Sequence, residues 1–269
     1  MLAIDSQIES RQGTGFRQHL GASIIGRPCA RQIWYSFRWV KRQRHHARTL
    51  RLFDRGNLEE ARFVRWLRQA GIHVVDTDPE TGKQLRIEDH NGHFGGSLDA
   101  VLYDIPDLPG QWVEGEFKTH NLKSFNELKK HRVRKAKPEH FVQMQIYMHY
   151  MKLPAALYLA ICKDDDELYT EVVEYMPEVA LFYIDRARKI IDSPNPPERV
   201  QNASPGFFIC RMCDYEGICW DNDPIEMNCR TCVNSVPANE GLWHCRRYDY
   251  PLNEQDQKRG CRDHTPIAA

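Results

Sequence analysis

The sequence predicts an α/β protein: a mixed central sheet flanked by helices, followed by a cysteine-rich, metal-bound C-terminal region. Three observations predict it. Segments with period-two apolar alternation lie between helical segments toward both ends of the chain, which implies helices packed on a mixed sheet. From Ser193 onward the composition turns to Pro, Asn and Cys, so regular structure is expected to give way to metal-held loops. Eight of the nine cysteines fall into two spaced groups, a pattern of metal sites rather than disulfides.

Taken in order, Pro28 ahead of Ile33, Trp34 and Phe37 marks a short helix beginning near Cys29. A longer helix is predicted over about 49–70, because Phe53, Gly56, Glu60, Phe63, Val64 and Leu67 keep helical spacing and Gly71 is a fitting stop. Period-two alternation then predicts strands over 93–103 and 111–119. Two helices follow over about 121–131 and 138–151, strands over 155–161 and 168–175, and a helix over 177–191. Cys162, outside both cysteine groups, is expected to be a buried structural thiol.

A length of 269 residues predicts one main domain, 1–228, and a small tail, 229–269. Hydrophobic residues at 41% and charged residues at 28% exclude disordered and collagen-like classes. No apolar run approaches the roughly 18 residues of a membrane span, and residues 1–20 mix acids, bases and polar residues. A cytoplasmic protein without signal peptide or membrane contact is expected. Net charge is zero, so a polyanionic partner can be argued only from local clusters. Nine Lys or Arg between Arg27 and Arg55 face only Asp54, and eight between Lys118 and Lys137 face only Glu127, while acids gather at Asp164, Asp165, Asp166 and Glu167.

In 112–118 strand alternation sends Glu114, Glu116 and Lys118 to one face and Val113 and Phe117 to the other. Upstream, Gly95 and Gly96 precede Asp99, an acid expected on a strand, and would let a backbone or a phosphate approach closely. Two neighbouring carboxylates repel, and a divalent cation such as Mg2+ relieves the repulsion. The cation acidifies a bound water and neutralises a phosphodiester, while a nearby lysine orients the water.

The order of helix acid, Asp strand, Glu-x-Lys strand and Gln-x-x-x-Tyr helix resembles the PD-(D/E)XK nucleases, in their RecB-like and lambda-type exonuclease branch. Gly56 with Glu60, Asp99, Glu116 with Lys118, and Gln143 with Tyr147 carry that resemblance over roughly residues 20–175. It implies a restriction-endonuclease-like fold. Glu60, Asp99, Glu116 and the Phe117 carbonyl would bind Mg2+ or Mn2+, Lys118 would assist the attacking water, and Gln143 and Tyr147 would position the lysine or the phosphate. Glu59, on a face with Arg55 and Arg62, is expected to be a surface ion-pair member.

Cys210, Cys213 and Cys219 form C-x2-C-x5-C, one thiol short of a tetrahedral site, with Cys29 far upstream. By spacing alone, zinc is the favoured ion. That arrangement resembles the iron-sulfur nucleases of the same branch, including CRISPR-associated adaptation nucleases and AddB-type subunits, and implies a [4Fe-4S] cluster on the four thiolates. Closing a loop of about 180 residues would make the cluster a staple. Cys229, Cys232, Cys245 and Cys261 suit a Zn2+ knuckle, with His244 and His264 in reserve and Trp243 and Tyr248 packed beneath.

The expected function is a metal-dependent DNA exonuclease serving recombination or repair, with DNA and a recombination protein as partners. Alternatives are a CRISPR adaptation nuclease that trims DNA before integration, and an inactive metal-stapled binding module. Basic residues over 38–51 and 129–137 would hold phosphates, with Tyr35 and Trp39 available to stack on bases and Trp34 assigned to the core.

Overall fold

The computed structural model describes residues 3–13 and 15–268. In chain order the elements are α1 (Ala3–Ser10), β1 (Leu20–Gly21), α2 (Ala30–Phe37), α3 (Ala47–Gln69), β2 (His73–Val75), β3 (Arg86–Asp89), β4 (Phe94–Ser97), β5 (Ala100–Ile105) and β6 (Leu108–His120). They continue with α4 (Leu122–Ala136), α5 (Pro138–Met151), β7 (Ala155–Cys162), β8 (Leu168–Glu174), α6 (Pro177–Asp192), α7 (Phe208–Arg211) and α8 (Glu216–Trp220). The last are β9 (Ser235–Pro237), β10 (Trp243–Cys245), β11 (Tyr250–Leu252) and α9 (Glu254–Arg259). Of the stretch 1–20, Met1, Leu2 and Thr14 lie outside the described residues.

The chain forms two compact units. The first comprises the described residues of Met1–Arg11, His45–Ile87 and Gly96–Ile184; the second comprises those of Gln12–Arg44, Glu88–Gly95 and Asp185–Ala269. Residues 229–269, expected as a separate tail, cluster within the second unit.

The first unit is built on a five-stranded mixed sheet in the order β2-β5-β6-β7-β8, with β6 and β7 parallel and the other neighbours antiparallel. All eight residues of β7 are buried, as expected of a strand covered on both faces. On one face Phe63, Val64 and Leu67 of α3 join Val113, Phe117, Leu157, Leu159 and Ile161 in a continuous core. Helices α4 and α5 pack against β6 and β7, and Gln143 of α5 reaches Glu116 on the opposite, polar face of β6. Glycine ends α3 as predicted: Gly71 has φ +85°, and the Gly71 and Ile72 amides close back onto the carbonyls of Arg68 and Leu67 at 3.1 and 3.0 Å. Pro138 opens α5, whose residues Phe141 through Met148 are all buried, so this helix belongs to the interior.

Several expectations are corrected here. The strand predicted over 93–103 is broken at Leu98 and Asp99, so Asp99 sits in a bend between β4 and β5 rather than on a strand. Phe53 is 51% exposed, and the buried stripe of α3 runs instead through Glu59, Phe63, Val64 and Leu67. Glu59 does pair with Arg62, at 3.1 Å, but it is buried rather than superficial. Strands β2 and β3 carried too few residues to show a period, and α1, none of whose described residues is buried, shows no core-facing stripe. Cys162 is buried, as expected.

In the second unit β1 runs parallel to the start of β4, pairing Leu20 with Phe94 and Gly21 with Gly95. Helix α2 buries Ile33, Trp34, Tyr35 and Phe37. Trp34 thus has its expected core role, but Tyr35 and Trp39 are buried too and unavailable to bases, and Arg38 is only 3% exposed. Trp39 stacks on Phe16, and its indole N–H donates to the Arg17 carbonyl at 2.7 Å. The region after Ser193 keeps more regular structure than expected, including the antiparallel sheet β9-β10-β11 around a fully buried Trp243. Local capping stabilises these short pieces: Asn253 accepts from the Asp256 amide at 3.0 Å to start α9. Tyr248, expected beneath this region, is 55% exposed. Among the described residues no helix is long and apolar enough to cross a membrane.

Candidate active site

Strand alternation on β6 turns Glu114, Glu116, Lys118 and His120 toward one face. In the parallel register of β7, Ala156 lies opposite Glu114, Tyr158 opposite Glu116 and Ala160 opposite Lys118, so alanines flank the long side chains. Glu114 and Glu116 are fully buried. Asp99 arrives from its bend and is fixed by the Phe117 amide, which donates to Asp99 Oδ2 at 2.8 Å. The Lys118 ammonium donates to Asp99 Oδ2 at 3.3 Å and to the Phe117 carbonyl at 3.0 Å, and it is ion-paired with Glu116 Oε1. Lys118 therefore bridges two carboxylates brought from different segments.

Helix α5 supplies the lid of this cluster. Gln143 Nε2 donates to Glu116 Oε2 at 3.2 Å and lies 3.4 Å from Tyr147 Oη, one turn along the same helix face. Tyr147 is held against the backbone of Gly96, where any Cβ would collide with its hydroxyl and ring. The close approach expected at the glycines is thus made by a tyrosine.

The electrostatics follow from burial. Burial pushes Glu116 up to about 7 against the pull of Lys118, with Asp99 adding to the rise. Glu114 is pushed well above the ordinary carboxylate range by burial and then by Glu116 and Asp99, and neither oxygen has a hydrogen-bond partner among the described residues. Glu60, half-buried on α3, is raised by burial and by Asp99 and lowered by Lys118, which puts it within electrostatic reach of the cluster. Burial pulls Lys118 down, but Asp99 and Glu116 outweigh it and hold the ammonium well above its usual value.

The structure thus gathers Asp99, Glu116, Lys118, Gln143 and Tyr147 in direct contact and leaves Glu60 at their edge. Sequence reasoning put Glu114 on the right face but gave it no role. It missed His120, His140 and Tyr158, which lie beside the cluster; carrying the alternation one step past Lys118 would have found only His120. Four carboxyls against one ammonium leave an excess of acceptor oxygens suited to a hard cation. Among the described residues, however, no group of three or more His, Cys, Asp or Glu is assembled as a single-ion cage.

In the second unit, Cys29 is the N-cap of α2, Cys210 lies in α7, Cys213 follows it and Cys219 lies in α8, and all four line one cavity. Arg199 Nε lies 3.2 Å and Arg31 Nη1 4.0 Å from Cys219 Sγ. Burial raises the Cys213 thiol, and the nearby Cys29 and Cys219 add to the rise. Further along the unit, burial and then Cys261, Cys232 and Cys245 push Cys229 up to about 11. The two histidines held in reserve are engaged elsewhere, His264 with Thr231 Oγ1 at 3.1 Å and His244 with Asp249 at 3.1 Å.

Two buried arginines sit beside this second group. Arg38 donates to the Cys232 and Ser235 carbonyls, and Arg230 to Gln257, the Phe37 carbonyl and Gln18, with no carboxylate hydrogen-bonded to either among the described residues. Burial lowers Arg38 to about 10, opposed by Cys232.

No family model and no curated protein matches the chain. Among solved structures, it is similar to SSO0001 at 14% identity and TM-score 0.46, over 81% of this chain and 92% of that one. It is also similar to an alkaline exonuclease from Laribacter hongkongensis at 15% identity and TM-score 0.44, over 64% of this chain and 86% of that one. The same exonuclease in complex with dAMP gives 14% identity and TM-score 0.44 over the same shares.

Proposed function

We propose that this chain is a metal-dependent DNA nuclease of the PD-(D/E)XK type, acting as an exonuclease in recombination or repair. The observation that carries the reading is that Asp99 and Glu116, 17 residues apart in sequence, meet on the Lys118 ammonium beside the Phe117 carbonyl. Asp99, Glu116, the Phe117 carbonyl and Glu60 would hold Mg2+ or Mn2+. When bound, the ion supplies a more acidic water and neutralises charge on the phosphodiester.

The protein's own groups do the rest. Phe117 N–H fixes the Asp99 rotamer, and Gln143 fixes that of Glu116. Lys118 keeps its charge at neutral pH and orients the water that attacks phosphorus. Tyr147, wedged on Gly96, keeps Gln143 in place.

The same reading assigns Cys29, Cys210, Cys213 and Cys219 to a [4Fe-4S] cluster. Its support is the shared cavity and the two guanidiniums, of Arg199 and Arg31, that lie against Cys219 Sγ and would complement the charge of a thiolate-bound cluster. Cys229, Cys232, Cys245 and Cys261 are assigned to Zn2+. A tetrathiolate zinc site carries two net negative charges, which would balance the buried Arg38 and Arg230.

Replacing Lys118 tests the catalytic reading. Lys118→Ala should lower magnesium-dependent degradation of end-labelled DNA by at least ~100-fold while the circular dichroism spectrum is unchanged. Undiminished degradation would remove the lysine from the mechanism.

A further inference from the structure

Beside the acid and lysine cluster, a file of five side chains in the first unit is used by nothing described so far. Lys137 Nζ donates to Ser124 Oγ at 2.6 Å, and Ser124 Oγ lies 3.2 Å from His120 Nδ1. His120 Nε2 is 2.9 Å from Tyr158 Oη, which is in turn 2.9 Å from His140 Nδ1. The three rings pack with interplanar angles of 23 to 28°.

One arrangement of protons lets each member of the file, from Lys137 to Tyr158, donate to the next. Lys137 can only donate, so the Ser124 oxygen accepts, and a hydroxyl receiving an ammonium proton becomes a better donor to His120 Nδ1. His120 then carries its proton on Nε2 and donates to Tyr158. Tyr158 Oη, having accepted, donates to His140 Nδ1. That leaves the His140 proton on Nε2, an atom with no hydrogen-bond partner among the described residues. In the reverse direction Ser124 Oγ would accept from both Lys137 and His120 Nδ1–H, and its own proton would leave the file for solvent.

His140 ends this file at the edge of the candidate site. It precedes Gln143 by one helical turn and Tyr147 by two on α5, the face that reaches Glu116. Tyr158, which holds it, is the register partner of Glu116. Burial and then the Lys118 charge depress the basicity of His140, so the ring is uncharged at neutral pH.

We propose that His140 presents Nε2–H as a fixed donor to a phosphate oxygen of the DNA strand held at the Asp99, Glu116 and Lys118 site, with Lys137, Ser124, His120 and Tyr158 as positioning residues that set its tautomer. The identity of the ligand rests on the nuclease reading; the tautomer does not. A neutral donor suits this place, because it binds a phosphate without a second cation to compete with Lys118 for the carboxylates.

Two measurements on the full chain test the proposal. The 15N spectra of histidine-labelled protein at pH 7.5, assigned with His140→Gln and His120→Gln, should show His140 as the neutral Nε2–H tautomer, and Tyr158→Phe should turn it into an exchanging mixture. An Nδ1–H tautomer or an imidazolium would overturn the file. In fluorescence anisotropy with a labelled single-stranded oligonucleotide and CaCl2, His140→Leu should weaken binding by roughly 10-fold or more, as expected for a lost hydrogen bond to a charged acceptor, and His140→Gln by clearly less. Unchanged affinity in His140→Leu would refute the phosphate contact. A wild-type chain that binds with this dependence but cleaves nothing in Mg2+ would refute hydrolysis and leave the contact standing.

Discussion

At the scale of single residues, the site is governed by how far burial can push a carboxylate before a cation holds it ionised. Glu116 is raised to about 7 although Lys118 touches it, because the carboxyl is buried and Asp99 stands close. A folded-state value above the ordinary 4.5 means that the folded chain holds this proton more tightly than the unfolded chain. The stability it lends is full below the unfolded value and lost as pH rises through the folded one. Glu114, shifted in the same direction, adds to the effect. The melting temperature of chelator-treated protein should therefore fall between about pH 5 and pH 8, and millimolar Mg2+ should flatten the profile by taking the place of the proton. A melting temperature that rises over this window would contradict the shifted carboxyls. Hydrolysis at limiting Mg2+ should fall on the acid side, since Glu116 must lose its proton to bind an ion, and raising Mg2+ should move that limb to lower pH.

At the scale of elements, the bend before β5 and the interior helix α5 decide the geometry. Breaking the strand at Asp99 lets its carboxylate, rather than a carbonyl, accept the Phe117 amide, and so carries the acid to the Glu-x-Lys edge. Gly96 on β4 is where the Tyr147 ring of α5 lies against a backbone with no room for a Cβ. Gly96→Ala should cost about 1–3 kcal/mol by overpacking, and more in activity than in stability because Tyr147 and Gln143 shift together. Tyr147→Phe removes the nearest clashing atom, so the double variant should be less destabilised than the sum of the two single ones in denaturant titrations. Strict additivity would mean that the contact is absent in solution. The predicted span of α5 matches its observed limits, since Pro138 fixes its start; α3 starts two residues earlier than predicted, before its apolar stripe begins.

For the whole molecule, the charge segregation read along the chain is partly cancelled within the first unit. Of the acidic stretch, Glu167 pairs with Lys129 at 2.7 Å and Asp164 accepts the Leu122 amide, and beyond it Glu171 pairs with Arg132 at 3.1 Å, so two of its four acids are engaged by α4. Arg38, counted among the phosphate binders, is buried in the second unit. The two cysteine groups, both in that unit, make a prediction about its metals. Anaerobically purified protein should be brown with a broad visible band and about one zinc per chain. Cys213→Ser should bleach it and lower the melting temperature, whereas Cys229→Ser should lose zinc and keep the colour. A colourless protein with two zinc ions would assign zinc to both groups.

The sequence alone determined the α/β class, most helix and strand positions around the site, and the face on which Glu114, Glu116 and Lys118 stand. Those features depend on local periodicity and on proline and glycine, whose effects reach only a few residues. It also put Asp99, Glu116 with Lys118, and Gln143 with Tyr147 forward as one group, because their order is linear information. Only the tertiary structure decided that Asp99 leaves its strand, that Gly96 admits Tyr147, that Tyr35 and Trp39 are core, and that Lys137 is linked through Ser124, His120 and Tyr158 to His140. Each of these depends on contacts between residues distant in the chain, where packing and desolvation, not local propensity, set the outcome.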